Sequence, residues 1–365
     1  PKTSSAASDV YKRQMKLLSK HNLSKKILIW YDKNKRDLPW RMDIKETNPY
    51  KTWVSEIMLQ QTTVEAVKPY YHKFISKWPS VKKLADSELE DIMDSWSGLG
   101  YYSRAKNLHK TAKILCKEYD TKIPSNYEEL IRLPGIGPYT AGAILAIAYD
   151  KKAPVIDANI ERILLRVLGI KKSKDKVKKE LIKISEDFCP KKRSGDYVQA
   201  MMDLGSMVCK PAKPLCLVCP IKKFCHAFNK NIVDEIPIKK QKKIKKIREA
   251  NIFFIISDKN KVYLKRRPLS GLLPGMLEFP SSEWKGKSSN KEEEPVFPFK
   301  GDWQPVKGQI NHTFSHFQLK LKVYICENVE EKKVKGIWIQ KSNIFDLELP
   351  SLMKKVYKHV FKYVH

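Results

Sequence analysis

The chain has 365 residues, 42% hydrophobic and 30% charged, enough for two domains with their own cores. Its 71 Lys and Arg against 40 Asp and Glu leave a formal charge of +31, which favours a polyanionic partner, although a lysine-rich solvated surface is the plainer reading. No apolar run reaches the roughly 18 residues of a membrane span, and the N-terminus lacks a signal-peptide core, so cytoplasmic residence is expected. Seven cysteines, an odd number with four crowded between 209 and 225, argue against a disulfide framework.

Residues 1–14, PKTSSAASDVYKRQ, are small, polar and aperiodic and read as a disordered leader or artefact, with Met15 as the start. Residues 15–228 form the first domain: from Lys25 to about Phe228, apolar residues recur at spacings of three and four, which predicts an all-α region. Within it, Thr52–Tyr70 reads as one helix whose stripe includes Val54, Ile57, Met58 and Val67, with Glu56 beside it. Carboxylates are rarely buried unless paired or functional, and a desolvated Glu56 would keep the proton a general acid needs; a solvated helix glutamate is the alternative. The following Leu59-Gln60-Gln61 offers an apolar wedge and amide donors suited to a base stack, and Tyr101 is a candidate stacking ring or an ordinary core tyrosine.

Leu133-Pro134-Gly135-Ile136-Gly137 predicts a sharp turn between two helices, with Gly135 and Gly137 letting a phosphate approach bare amides at the start of a helix Tyr139–Tyr149. Such a hairpin also serves as a mere connector. Asp157, with Asn159 close by, precedes a helix striped by Ile160, Ile163, Leu164, Val167 and Leu168. Asp157 is either a helix cap or a carboxylate, held ionised by helix-end amides, that faces a cationic sugar.

Cys209, Cys216, Cys219 and Cys225 follow the spacing C-x6-C-x2-C-x5-C. One tight pair flanked by wider gaps suits a 4Fe-4S cluster better than zinc, which usually takes two short knuckles. Residues 229–250 carry Lys239, Lys240, Lys242, Lys243, Lys245, Lys246 and Arg248 and predict an exposed basic linker able to touch phosphates. Residues 251–365 are expected to be α+β, with β-rich runs at Ile252–Ile256, Val262–Leu264, Leu319–Ile325 and Gly336–Ile339 and an amphipathic helix from about Leu352.

Five stretches, Trp53–Thr62, Gly98–Arg104, Leu133–Gly142, Met202–Gly205 leading into the cysteines, and His312–Phe317, together resemble adenine DNA glycosylases of the MutY type. These belong to the helix-hairpin-helix glycosylase superfamily, which also contains endonuclease III; the resemblance runs from about Leu23 to Phe361. It implies removal of adenine mispaired with 8-oxoguanine or guanine by a nucleoid-associated monomer acting on double-stranded DNA, after the base is flipped out. Glu56 matches the acid that protonates adenine at N7 and Asp157 the carboxylate that stabilises the oxocarbenium-like sugar, with Tyr139 and Asn159 in support. Trp40, Arg41 and Gln199 match the adenine pocket, and Leu59, Gln61 and Tyr101 the residues that wedge around 8-oxoguanine.

The C-terminal domain resembles the MutT-like, Nudix-like module of that family, in which Phe314, Ser315 and His316 reach 8-oxoguanine. No arginine follows Arg267, so the Arg-Glu-x-x-Glu-Glu box of diphosphate hydrolases is absent. Asp157-Ala158-Asn159 departs from the common Asp-Gly-Asn, and Glu161 stands where some members carry lysine. The competing expectations are an endonuclease III-like glycosylase and lyase for oxidised pyrimidines, and a non-catalytic mismatch-binding protein. The first needs a lysine just past the hairpin, where this chain has Pro138-Tyr139-Thr140.

Overall fold

Helix-forming stretches and their caps account for the first part of the chain. The computed structural model describes residues 20–41, 47–172, 174–238, 245–268, 271–286, 294–314, 316–347 and 349–363. Helices run in the order α1 (Lys20–Asn34), α2 (Pro49–Leu59), α3 (Val64–Lys77), α4 (Val81–Ala85), α5 (Leu89–Ser95), α6 (Ser103–Glu118), α7 (Tyr127–Arg132), α8 (Pro138–Tyr149), α9 (Ala158–Leu168), α10 (Lys174–Phe188), α11 (Ser194–Met207) and α12 (His226–Asn229). The chain divides into two compact units, one of residues 1–86 and 107–241, the other of 87–106 and 242–365.

The single helix expected over Thr52–Tyr70 is two. Gln61 takes a left-handed φ of 56°, and Thr63 caps the second helix by accepting from the Ala66 amide, which satisfies an orphan donor and makes restarting cheaper than continuing. The expected stripe on α9 is all buried: Ile160, Ile163, Leu164, Val167 and Leu168 enter one core with α1, α10 and α11. That core continues past the expected domain end, since Ile236 is 1% exposed within it.

Among the described residues, seven strands form the sheet of the second unit: β1 (Lys246–Ser257), β2 (Lys261–Arg266), β3 (Leu277–Glu278), β4 (Lys285–Gly286), β5 (Gln304–Thr313), β6 (Phe317–Val329) and β7 (Ile337–Gln340). The order is β3-β2-β1-β6-β5, with β4 on β1 and β7 on β2, and β1 runs parallel to β6 while the other pairs are antiparallel. The run Ile252–Ile256 alternates between two faces, as a strand buried on both sides must. Ile252, Phe254 and Ile256 face the core shared with helix α13 (Ser351–Tyr363), and Ile255 joins a smaller cluster with Cys326 and Trp303.

The expected linker over 229–250 is therefore shorter than the lysine run implied. Ile236 belongs to the helical core, and Lys246, Arg248 and their neighbours are strand β1, where partner strands β6 and β4 supply the hydrogen bonds that composition does not reveal. Lys239, Lys240, Lys242 and Lys243, like the leader 1–14, lie outside the described residues. Among the described residues no helix is long and apolar enough to cross a membrane.

Candidate active site

The hairpin comes first, because it delivers Tyr139. Helix α7 ends at Arg132, and Gly135, at φ 78°, makes the turn, where a side chain would also strike Cβ of Asn107 at 2.8 Å. Gly137 differs from expectation: its φ of −92° is one any residue adopts, so its value as glycine lies in the open space around it. Thr111 donates its hydroxyl to the Pro134 carbonyl (2.9 Å) and ties the turn down. Helix α8 then starts at Pro138, whose missing N–H is harmless in the first turn.

Tyr139 on α8 donates its hydroxyl to Oε2 of Glu56 on α2 at 2.8 Å. Glu56 is 4% exposed, and among the described residues no cation forms an ion pair with it. Burial pushes its carboxyl up to about 7; the Tyr139 hydrogen bond and the more distant Arg41 pull it down, and the charge of Asp157 pushes it up. Burial likewise lifts the Tyr139 hydroxyl well above its ordinary value, so it stays a donor.

Asp157 is the N-cap of α9, its Oδ1 accepting from the Ile160 amide (2.7 Å) and its Oδ2 from Asn159 Nδ2 (2.8 Å). The cap and the catalytic candidate are thus one arrangement. Burial raises its pKa even so, with those hydrogen bonds opposing, so the cap offsets desolvation without fully reversing it. Asn159 is positioned in turn by Arg162, whose Nη2 donates to its Oδ1 (2.8 Å) and to the Gly205 carbonyl (2.8 Å). Gly205 permits this approach, since a side chain there would meet Asn159 Cβ at 2.4 Å.

Trp40, Arg41, Leu59 and Gln199 line a pocket with Glu56 and Arg36. Arg41 is already engaged: Nη1 and Nη2 meet Oδ2 and Oδ1 of the fully buried Asp203 at 2.6 and 2.8 Å, and Arg36 Nε meets Oδ1 at 2.6 Å. Trp40 stands edge-on to Tyr71, 5.4 Å between ring centres. Gln61 is exposed in the turn after α2. In the other unit Tyr101 adopts φ 49°, unusual for a large side chain, and is 42% exposed. Arg104 holds that turn by donating to the Leu99 and Gly100 carbonyls (3.2 and 3.0 Å).

The four cysteines follow α11 in short 3-10 turns. Among the described residues no group of three or more His, Cys, Asp or Glu is arranged to hold a metal ion, yet these thiols lie within electrostatic reach of one another. Burial pushes the Cys219 thiol up to about 12, with Cys209, Cys225 and Cys216 adding to the rise. The ionisation of Cys216, Cys219 and Cys225 is opposed by burial and by neighbouring thiols, and the four partly buried sulfurs fit in number a cluster bound through four sulfurs. Arg166, 2% exposed, reaches Cys209 Sγ (3.4 Å) and the Lys210 carbonyl (2.7 Å), while Arg162 Nε reaches the Cys209 carbonyl (2.7 Å). Arg162 and Arg166 are not singled out from sequence, and Asp203 enters there only within the stretch Met202–Gly205. Their signal was the one that flagged Glu56: charge on an otherwise apolar helical face.

In the second unit Phe314 is half-buried and His316 exposed at the turn between β5 and β6; Ser315 lies outside the described residues. The buried Glu278 on β3 is engaged by Arg267 and by Lys265 (3.6 Å).

Residues 54–187 match the family model "HhH-GPD superfamily base excision DNA repair protein", and residues 251–359 the "NUDIX domain" model. The chain is 35% identical over 347 residues to "Adenine DNA glycosylase" of Buchnera aphidicola subsp. Schizaphis graminum, covering 93% of this chain and 98% of that protein. With the human protein of the same name it shares 31% identity, covering 91% of this chain and 72% of that one. Among solved structures, a thermostable thymine-DNA glycosylase aligns with 58% of this chain and 97% of its own at a TM-score of 0.53 and 28% identity.

Proposed function

Because the chain belongs to the adenine DNA glycosylase family, whose members hydrolyse N-glycosyl bonds in base excision repair, we propose that it excises adenine paired with 8-oxoguanine or guanine as a monofunctional glycosylase. The observation that carries this reading is the contact of Tyr139 with a buried Glu56 whose carboxyl is pushed up to about 7, in a pocket shared with Trp40, Arg41 and Gln199. A flipped adenine would enter that pocket.

The protonated Glu56 donates its proton to N7 of adenine as the N-glycosidic bond breaks and its electron pair leaves with the base. Asp157, ionised and aimed by the Ile160 amide and Asn159, faces the positive charge that develops on the sugar. Water adds to C1′, and its proton returns to Glu56, leaving adenine and an abasic sugar. Tyr139 and Asn159 support the two carboxyl groups. Leu59, Gln61 and Tyr101 wedge around the base opposite adenine, Phe314, Ser315 and His316 contact its edge, and Gly135 and Gly137 leave amides open to a phosphate.

Cys209, Cys216, Cys219 and Cys225 would hold a 4Fe-4S cluster, which when bound contributes folding free energy and orders a loop carrying Lys210, Lys213, Lys222 and Lys223.

The test is a duplex with one A opposite 8-oxoguanine. Free adenine and an intact abasic strand are expected, because tyrosine stands where a lyase lysine would sit. No adenine release would leave a mismatch-binding protein; strand cleavage at the rate of release, with borohydride trapping, would reveal an amine nucleophile.

A further inference from the structure

The turn after β5 is gripped in part from outside every motif that points to DNA, by Trp284 and Arg267. We propose that Trp284 is a specificity-positioning residue, which holds Phe314 at the angle from which its turn distinguishes 8-oxoguanine from guanine. The inference rests on the reading that this turn meets the base opposite adenine.

Three rings meet Phe314. Phe317 stacks on it at 4.8 Å between centres with planes 24° apart, His312 stands edge-on at 4.7 Å, and Trp284 stands at 5.7 Å and 36°. His312 and Phe317 belong to the same hairpin as Phe314 and come with it, whereas Trp284 lies between β3 and β4, thirty residues earlier in the chain (314 − 284 = 30). It is therefore the contact that folding, and not the turn itself, must supply. Cations finish the stack: the Arg267 guanidinium stands 4.7 Å over Trp284 and that of Arg248 4.4 Å over Phe317.

Trp284 is itself anchored. Its Nε1 donates to Ser281 Oγ (3.3 Å), and Arg267 is fixed by Glu278 and by the Leu272 carbonyl (2.8 Å). The Phe314 main chain is held as well, its N–H donating to the Phe317 carbonyl (2.9 Å) and its carbonyl accepting from Lys245 Nζ (2.7 Å). With the main chain pinned at 314, the remaining freedom is the tilt of the ring, and Trp284 restricts it. His316, two residues on, is exposed, so an error in tilt changes the ring surface offered beside the base edge without loosening the core.

The experiment compares single-turnover adenine release from A opposite 8-oxoguanine and A opposite guanine, at one salt concentration, for wild type, Trp284→Phe, Trp284→Leu and Trp284→Ala, with His316→Ala in parallel. Trp284→Ala is expected to lose about tenfold or more of the preference for 8-oxoguanine, within the range of one lost base contact, while A opposite guanine stays within about threefold. Trp284→Phe, which keeps a ring, should restore most of the preference and Trp284→Leu should not. If Ala prevents folding, the Phe and Leu variants decide: equal preferences overturn the proposal. Loss of preference in His316→Ala but not in any Trp284 variant also overturns it and leaves the turn's role standing. An unchanged preference in His316→Ala removes the turn, and Trp284 with it.

Discussion

Each unit buries a glutamate, and the two are treated in opposite ways. Glu56 in the helical unit is 4% exposed and takes a single hydroxyl donor at 2.8 Å, so desolvation dominates and the proton is retained to about pH 7. Glu278 in the sheet unit is 3% exposed and meets Arg267 and Lys265, which compensate its charge. Asp203 shows the same compensation inside the helical unit, with Arg36 and Arg41 on a side chain that is fully buried. The lesson is that burial alone does not make an acid. A buried carboxyl keeps its proton where burial is not offset by a paired cation, and at Glu56 the Tyr139 hydroxyl opposes that effect only in part.

The strongest way to break that comparison is Glu56→Gln, which preserves shape and removes the proton. Adenine release in single turnover should fall about 10²–10⁴-fold while duplex binding persists; a loss within about threefold would mean that Glu56 is not the acid. Wild-type release should also decline as pH rises through about 7, because the carboxyl then ionises, and Glu56→Gln should lack this limb.

Cys216→Ser tests whether the four clustered thiols hold a metal cluster. Anaerobically purified wild type should hold roughly four irons with broad brown absorption, and the variant should lose iron together with folding or DNA affinity. Zinc in place of iron would reject the cluster.

His316→Ala probes the sheet unit, where contacts and not proton transfer are at stake. Preference for A opposite 8-oxoguanine should fall about 5–150-fold, the equivalent of about 1–3 kcal/mol, with A opposite guanine little changed; equal losses on both duplexes would show that the unit only adds charge. The smallest effect sharpens the account of Glu56 itself. Tyr139→Phe removes the hydrogen bond that favours the carboxylate, so the acid form gains and the alkaline limb should move to higher pH, with a rate change on the order of fivefold, since one hydrogen bond is worth about 1 kcal/mol. A limb that moves to lower pH would contradict the assigned sign.

The sequence alone determined the class of each unit, the stripe of α9, the hairpin, the amphipathic α13, and Glu56, Asp157 and the cysteines as the residues to follow. These are local signals: periodicity, a turn residue, a cap, a tight thiol pair. Strand β5 was not legible, because Gln304–Thr313 is polar and its pairing partner β6 comes later in the chain. Nor was the break after Leu59, where one left-handed residue and one threonine cap outweigh a continuous apolar pattern. That Glu56 is buried rather than solvated, with its carboxyl pushed up, was decided only by the packing around it, which also brings Tyr139 of α8 onto it. Whether Asp157 was a cap or a catalytic group proved to be one question, since the same oxygens that satisfy the helix end are aimed by it. Tertiary structure decided these points because a carboxyl's protonation depends on what lies within a few ångströms of it in space, and those neighbours here stand 83 and 101 positions away along the chain (139 − 56 = 83; 157 − 56 = 101).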